Sequence, residues 1–327
     1  MATPLLEVKH LRVEFPTRRG TLLALDDVSL TIGPGEILGV VGESGAGKSL
    51  TGAAIIGLLE PPGRVAGGEI LLAGQRIDKL GAEAMRKIRG RRIGAIFQDP
   101  LTSLNPLYSV GRQLIETLQV HLQLDARQAR LRAIELLLQT GIAAAEQRID
   151  QYPHQFSGGM RQRVVIALAL AAQPELIVAD EPTTALDVSI QAQIIALLKQ
   201  GARQQGAAVM LITHDMGVIA EACDRVAVMY AGRIVEIGPV ADVIHRPAHP
   251  YTAGLMGAIP SMAFERDRLL QIDGAMPRLN SIPAGCAFNP RCTRVVDRCR
   301  SDRPDLQAVG ASRVACWLAV SGPGDVN

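Results

Sequence analysis

The chain has 327 residues, 48% of them apolar, enough for one large or two ordinary globular domains with a buried core. A formal net charge of +2 makes no broad basic field, so no nucleic-acid partner is expected. No run approaches the roughly 18 apolar residues that span a bilayer, and the N-terminal residues lack a basic segment followed by an apolar core, so the chain is expected to stay in the cytosol and to reach a membrane only through a partner.

Residues 5–42 alternate apolar and polar positions (Leu6, Val8; Leu11, Val13, Phe15; Val28, Leu30, Ile32) and are broken at 17–20 and at Gly33-Pro34-Gly35. This pattern predicts short strands of an antiparallel edge leading into a first parallel strand over 36–41. Phe15 is the only aromatic residue before Gly42, and it has two readings: stacking on an adenine ring, or packing into the core. Gly42, Glu43, Ser44, Gly45, Ala46, Gly47, Lys48 and Ser49 then spell G-x-x-x-x-G-K-S, followed by a helix-like run that starts at Leu50. The glycines let the backbone curl its N–H groups onto phosphates at the positive end of the helix. Lys48 would neutralise the β- and γ-phosphates, and the Ser49 hydroxyl would ligate Mg²⁺. An ordinary glycine-rich turn would not need the lysine, the serine and both flanks together.

Strands are predicted at 67–72 and 93–98, the second ending in Gln98, where a polar side chain can reach Mg²⁺ or an attacking water. The basic run at 86–92 reads as a solvated helix end, and 99–106 as a turn-rich connector. Leu114, Leu118 and Leu122, then Ile134, Leu137 and Leu138, recur at helical spacing over 110–147 and predict an inserted helical subdomain, about 99–160. Ser157, Gly158 and Gly159 open a long apolar helix and repeat the anion-binding logic of the first loop. One nucleotide needs one cradle, so the second is expected to serve a nucleotide held by another subunit.

The apolar run 176–179 ends in Asp180 and Glu181, which would hold Mg²⁺ through water and polarise the attacking water as general base, respectively. A tight loop ending at Asp187 precedes a helix over 190–199. Another buried strand ends near His214, a candidate contact for the γ-phosphate; a lone strand-end histidine is often structural, but this is the third strand to deliver a polar group to one sheet edge. Residues 225–230 and 233–237 read as a closing hairpin, and Cys223 as a core residue.

The ordered set formed by residues 42–49, Gln98, 157–162, Asp180, Glu181, Ala185-Leu186-Asp187 and His214 resembles the nucleotide-binding subunit of ATP-binding-cassette transporters. The resemblance implies an α/β fold: a P-loop NTPase (RecA-like) core with an antiparallel β subdomain, an inserted α-helical subdomain and an irregular cysteine-rich C-terminal extension, divided as 1–250 and 251–327. It implies ATP sandwiched between the phosphate loop of one cassette and Ser157-Gly158-Gly159 of a second, with Asp187 at their interface. Phe156 and Met160 stand where the family signature more often carries Leu and Gln, and little loss is expected from that. Asn105-Pro106, Tyr152-Pro153-His154, His249-Pro250-Tyr251-Thr252 and the tail resemble the peptide-importer branch, which takes up dipeptides and oligopeptides and, in relatives, nickel or glutathione. Membership implies two transmembrane permease subunits, a second and different ATPase subunit, an external peptide-binding protein, and a peripheral place on the cytoplasmic side of the inner membrane. A soluble cassette ATPase acting on nucleic acid or ribosomes usually carries two cassettes or a long coiled coil. A P-loop kinase would not need the second cradle.

Four of the five cysteines, Cys286, Cys292, Cys299 and Cys316, fall in a tail with no long periodic run, where a thiolate-held centre is physically plausible. The same spacing in dipeptide-transporter ATPases resembles a [4Fe–4S] site. Zn²⁺ ranks second, because zinc sites usually bring two cysteines within two to four residues, and free thiols rank third.

Overall fold

The computed structural model describes residues 3–184, 187–257 and 272–320. Its strands, in chain order, are β1 (Leu6–Thr17), β2 (Gly20–Ile32), β3 (Ile37–Val41), β4 (Arg64–Leu72), β5 (Gln75–Arg76), β6 (Ile93–Ile96), β7 (Leu176–Asp180), β8 (Ala208–Ile212), β9 (Arg225–Tyr230), β10 (Arg233–Pro239), β11 (Gln307–Val309) and β12 (Ser312–Val314). The described residues divide into two compact units, one built from 3–6, 32–37, 72–184 and 187–212 and the other from 7–31, 38–71, 213–257 and 272–320.

In the first unit β6, β7 and β8 run parallel, with Ile93 opposite Leu176 and Leu176 opposite Ala208. They are short, continuous apolar runs buried on both faces, as parallel strands require. The helix Gly158–Ala171 buries Val164, Val165, Ile166, Ala167, Ala169 and Leu170, so it is apolar around most of its circumference and serves as a core helix. The helical subdomain expected over 110–147 contains three helices, Val110–Leu122, Ala126–Gln139 and Ala145–Arg148. Local chemistry sets the breaks: Gln123 adopts a left-handed conformation, and Asp125 then forms a capping box with Gln128. The connector after Gln98 contains one short helix, Pro100–Ser103. Within the basic run, Arg92 grips Glu175 bidentately (2.6 and 2.9 Å) and Arg91 donates to the Ala172 carbonyl (2.8 Å), so both arginines brace the unit.

In the second unit β2, β1 and β4 lie side by side, and β11, β12, β10, β9 and β3 follow one another in a sheet. β9 and β10 form the expected hairpin, and β3 pairs parallel with β9, Leu38 opposite Arg225. The core gathers Val41, Ile219, Val226, Val228, Tyr230, Tyr251 and Phe288. The C-terminal extension is therefore less of an appendage than its sequence suggests. β12 adds to β10, Glu236 opposite Val314, and Phe288 packs edge-on to Tyr230 with ring centroids 5.2 Å apart. Short of apolar residues for a core of its own, the extension buries the few it has in the core of the unit it joins. Among the described residues no helix is long and apolar enough to cross a membrane.

Candidate functional site

The residues singled out by sequence divide between the two units. In the second, β3 is buried along its whole length and delivers the chain to Gly42, which has φ 149°, and where a Cβ would sit 2.3 Å from the Met229 carbonyl oxygen. Only glycine fits there, so the loop is pinned against β9 where it begins. Gly47 (φ 102°) opens the helix Lys48–Ile55 without a side-chain cap, so the positive end of the helix follows directly on the loop. Lys48 is buried, and its ammonium donates to the carbonyls of Gly42 (2.8 Å) and Glu43 (3.2 Å), which fixes the loop as a ring around the charge. Ser44, Gly45 and Ser49 are exposed, Ala46 is buried and Leu50 half-buried. A curled backbone, a lysine and an exposed hydroxyl on the first helical turn fit a Mg²⁺-bound polyphosphate. Thr213 N–H donates to the Val40 carbonyl (3.2 Å), so the exposed His214 follows directly on the end of β3. Phe15 is half-buried, with its ring edge against Gly63, where a Cβ would come within 2.7 Å of it.

In the first unit, Asp180 ends β7 opposite Ile212, and the chain turns sharply at Glu181, whose φ of 46° is left-handed. That conformation is uncommon for a residue other than glycine, and it ends the strand's alternation at Asp180. The Glu181 carboxylate is held by Gln98 Nε2 (3.0 Å) and Thr184 Oγ1 (2.8 Å), while its backbone N–H donates to Ile212 (2.9 Å). Gln98 and Glu181 therefore meet although they are 83 positions apart. Thr184 escaped the sequence reading, although its spacing of three from Glu181 within a tight loop was the available signal. Ser157 caps the helix Gly158–Ala171, its hydroxyl accepting from Met160 N–H (3.4 Å), and Ser157 and Gly158 are exposed. Phe156 is buried, an apolar anchor beside the cap. Asp187, also exposed, caps the helix Val188–Gln205 by accepting from Ile190 N–H (2.9 Å); Ala185 and Leu186 lie outside the described residues.

The C-terminal extension of the second unit reaches the phosphate loop. The Glu43 N–H donates to the Tyr251 hydroxyl (2.9 Å), and the Arg291 guanidinium pairs with the Glu43 carboxylate (3.0 Å). Burial works against the charge of Arg291, yet its bonds to Glu43 and Tyr230 raise its pKa overall. No sequence signal pointed to Arg291 beyond its place beside Cys292. Cys286, Cys292, Cys299 and Cys316 line one small cavity of about 10 Å³, roughly the room of one water. Burial, reinforced by the neighbouring thiols, pushes Cys286 up to about 11 and raises Cys292 and Cys316 as well. The donor set fits a thiolate-held centre. The space does not yet fit a cluster, and among the described residues no three His, Cys, Asp or Glu side chains converge as the ligands of a single metal ion do. Cys223 is half-buried and packs against the core.

The model of the ABC transporter family matches residues 25–184, and that of the oligopeptide/dipeptide transporter C-terminal region matches 235–299. The dipeptide transport ATP-binding protein DppD of Escherichia coli K12 is 45% identical over 309 residues, covering 94% of each chain. The chain belongs to the ABC transporter family. Among its members, DppD of Haemophilus influenzae is 44% identical over 321 residues, 98% of this chain and 97% of that one. The dimeric ATP-binding cassette MJ0796 bound to ADP and phosphate superposes with a TM-score of 0.65 at 30% identity, covering 72% of this ABC chain and 98% of its own.

Proposed function

We propose that this ABC protein is the ATP-hydrolysing subunit that powers uptake of dipeptides or oligopeptides. The observation that carries the reading is the joining, in one chain, of a cassette match and an oligopeptide/dipeptide C-terminal match, with near full-length similarity to dipeptide transport ATP-binding proteins. In this reading the N–H groups of residues 42–49 and the Lys48 ammonium hold the β- and γ-phosphates, and Phe15 stacks on the adenine. Ser49, Gln98 and Asp180 hold Mg²⁺, which supplies charge neutralisation on the transferring phosphoryl group. Glu181 accepts the proton of the attacking water, Gln98 orients that water and His214 contacts the γ-phosphate, so catalysis is positioning and electrostatics rather than covalent chemistry. Ser157, Gly158, Gly159 and Asp187 face a nucleotide held by a second cassette, a different ATPase chain.

The same reading places the chain on the cytoplasmic face of the inner membrane against two permease subunits, fed by an external peptide-binding protein. Cys286, Cys292, Cys299 and Cys316 would hold a [4Fe–4S] cluster, with Zn²⁺ the second choice; the four thiols line one cavity, which would have to widen to admit either group. Two experiments test these assignments. Proteoliposomes carrying the chain with its permease and ATPase partners are expected to accumulate labelled dipeptide in an ATP-dependent way; accumulation of nickel or glutathione instead overturns the peptide assignment. Anaerobically purified protein is expected to carry about four irons per chain, lost in Cys292→Ser, whereas stoichiometric zinc or no metal refutes the cluster.

A further inference from the structure

Glu43 is a carboxylate inside a loop that receives a triphosphate, and left alone it would repel its ligand. The structure does not leave it alone. The side chain of Arg291, only 7% exposed, places Nη1 at 3.0 Å from Glu43 Oε2. The rest of its fork is spent on the backbone: Nε donates to the Asp273 carbonyl (2.8 Å) and Nη2 to those of Ile272 (3.3 Å) and Gly274 (3.4 Å), while Nη1 also reaches the Tyr230 hydroxyl (3.4 Å). A guanidinium fixed from three sides is a preorganised counter-charge, because its rotamer entropy is lost before any nucleotide arrives. Tyr251 completes the clamp by accepting from the Glu43 N–H, and its ring packs on Tyr230 and Phe288 (centroids 4.7 and 5.4 Å).

We infer that Arg291 is a positioning residue for ATP binding, which cancels the charge of Glu43 and holds the phosphate loop open to a polyanion, so that the cysteine-bearing segment sets the nucleotide affinity. The inference rests on the ATP-binding role proposed above. Arg291 lies between Cys286 and Cys292, and Phe288 of the same segment is part of the core beneath Tyr251. Whatever shifts that segment moves the cation that makes Glu43 compatible with phosphate.

A charge-rescue series tests this in the full-length chain, with a fluorescent ATP analogue reporting dissociation constants, circular dichroism reporting the fold, and steady-state hydrolysis separating KM from kcat. Arg291→Gln is expected to weaken binding about tenfold, through KM rather than kcat, and Arg291→Lys less so. Adding Glu43→Gln to Arg291→Gln is expected to bring affinity back to within about twofold of wild type, because the repelling charge is gone. A merely structural arginine would not be rescued by neutralising Glu43. Unchanged binding in Arg291→Gln, or a double variant as weak as the single one, overturns the inference. Glu43→Gln alone carries the test should Arg291→Gln not fold: it is expected to bind the analogue at least as tightly as wild type, and weaker binding overturns the proposal. Wild-type protein that binds no ATP analogue defeats the ATPase reading itself, and this inference with it.

Discussion

The phosphate loop and the Glu181 turn are built on opposite plans. The loop is fixed by packing: Gly42 lies against the Met229 carbonyl, Lys48 is buried among loop carbonyls, and β3 beneath it is wholly buried. The turn is fixed by side chains and one strained backbone, with Gln98 and Thr184 sharing the carboxylate of a residue at φ 46°. A site that must only bind can be made rigid. A group proposed to accept a proton and release it again is better held by a few hydrogen bonds that can be exchanged. Four measurements break or sharpen this contrast.

The largest effect is expected for Glu181→Gln, which keeps the size and shape of the side chain and removes the carboxylate proposed as the base. Hydrolysis should fall about a thousandfold while ATP affinity stays within a fewfold, measured as kcat beside equilibrium binding. Lys48→Ala should do the reverse, weakening ATP binding by about a hundredfold, since it removes a charge-assisted contact and the centre of the loop's ring. A comparable loss of affinity in both variants would end the distinction between the two regions.

Acid should distinguish the loop's supporting core. Burial lowers the pKa of His249 to about 4, and its Nδ1 accepts from the Tyr251 N–H (3.0 Å), so the folded chain holds it neutral. Unfolded chains take up that proton near pH 6.5, so the unfolded state binds more protons below that pH, and stability is lost progressively as pH falls from about 6.5 to 4. The slope cannot exceed about 1.4 kcal/mol per pH unit for this one group. Thermal melts of His249→Gln should show a shallower acid slope than wild type, and an equal slope would remove His249 from the account. Thr184→Val should have the smallest effect, a two- to fivefold loss in kcat with unchanged ATP affinity, as about 1 kcal/mol of hydrogen bonding to Glu181 is lost.

What the sequence made legible follows from distance along the chain. The phosphate loop, the Ser157 cap and the Asp180-Glu181 pair are local patterns, in which neighbouring residues specify both backbone and chemistry. Gln98 was expected to end a strand over 93–98, which stops at Ile96, and its partner was not legible, because a hydrogen bond across 83 positions leaves no periodic trace. Arg291 and Glu43 are 248 positions apart and were invisible for the same reason. The β11 and β12 hairpin went unseen because strands of three residues are too short to show an alternation. The left-handed Glu181 is a case where a non-glycine residue keeps a conformation its own propensity disfavours, and the sequence carries no mark of it.

The pairing of β12 with β10 has a consequence for the integrity of the chain in solution. β10 carries Ile234, Val235 and Ile237, all buried, and β12 covers one of its two edges. Cutting the chain after residue 250 would strip that cover and bare a row of unpaired backbone N–H and C=O groups beside a Tyr230 that has lost the ring of Phe288. An apolar, uncapped edge of this kind recruits strands from other molecules. The C-terminal tail thus protects the cassette from its own kind, and a shortened chain would be recovered as aggregate before its ATPase activity could be read.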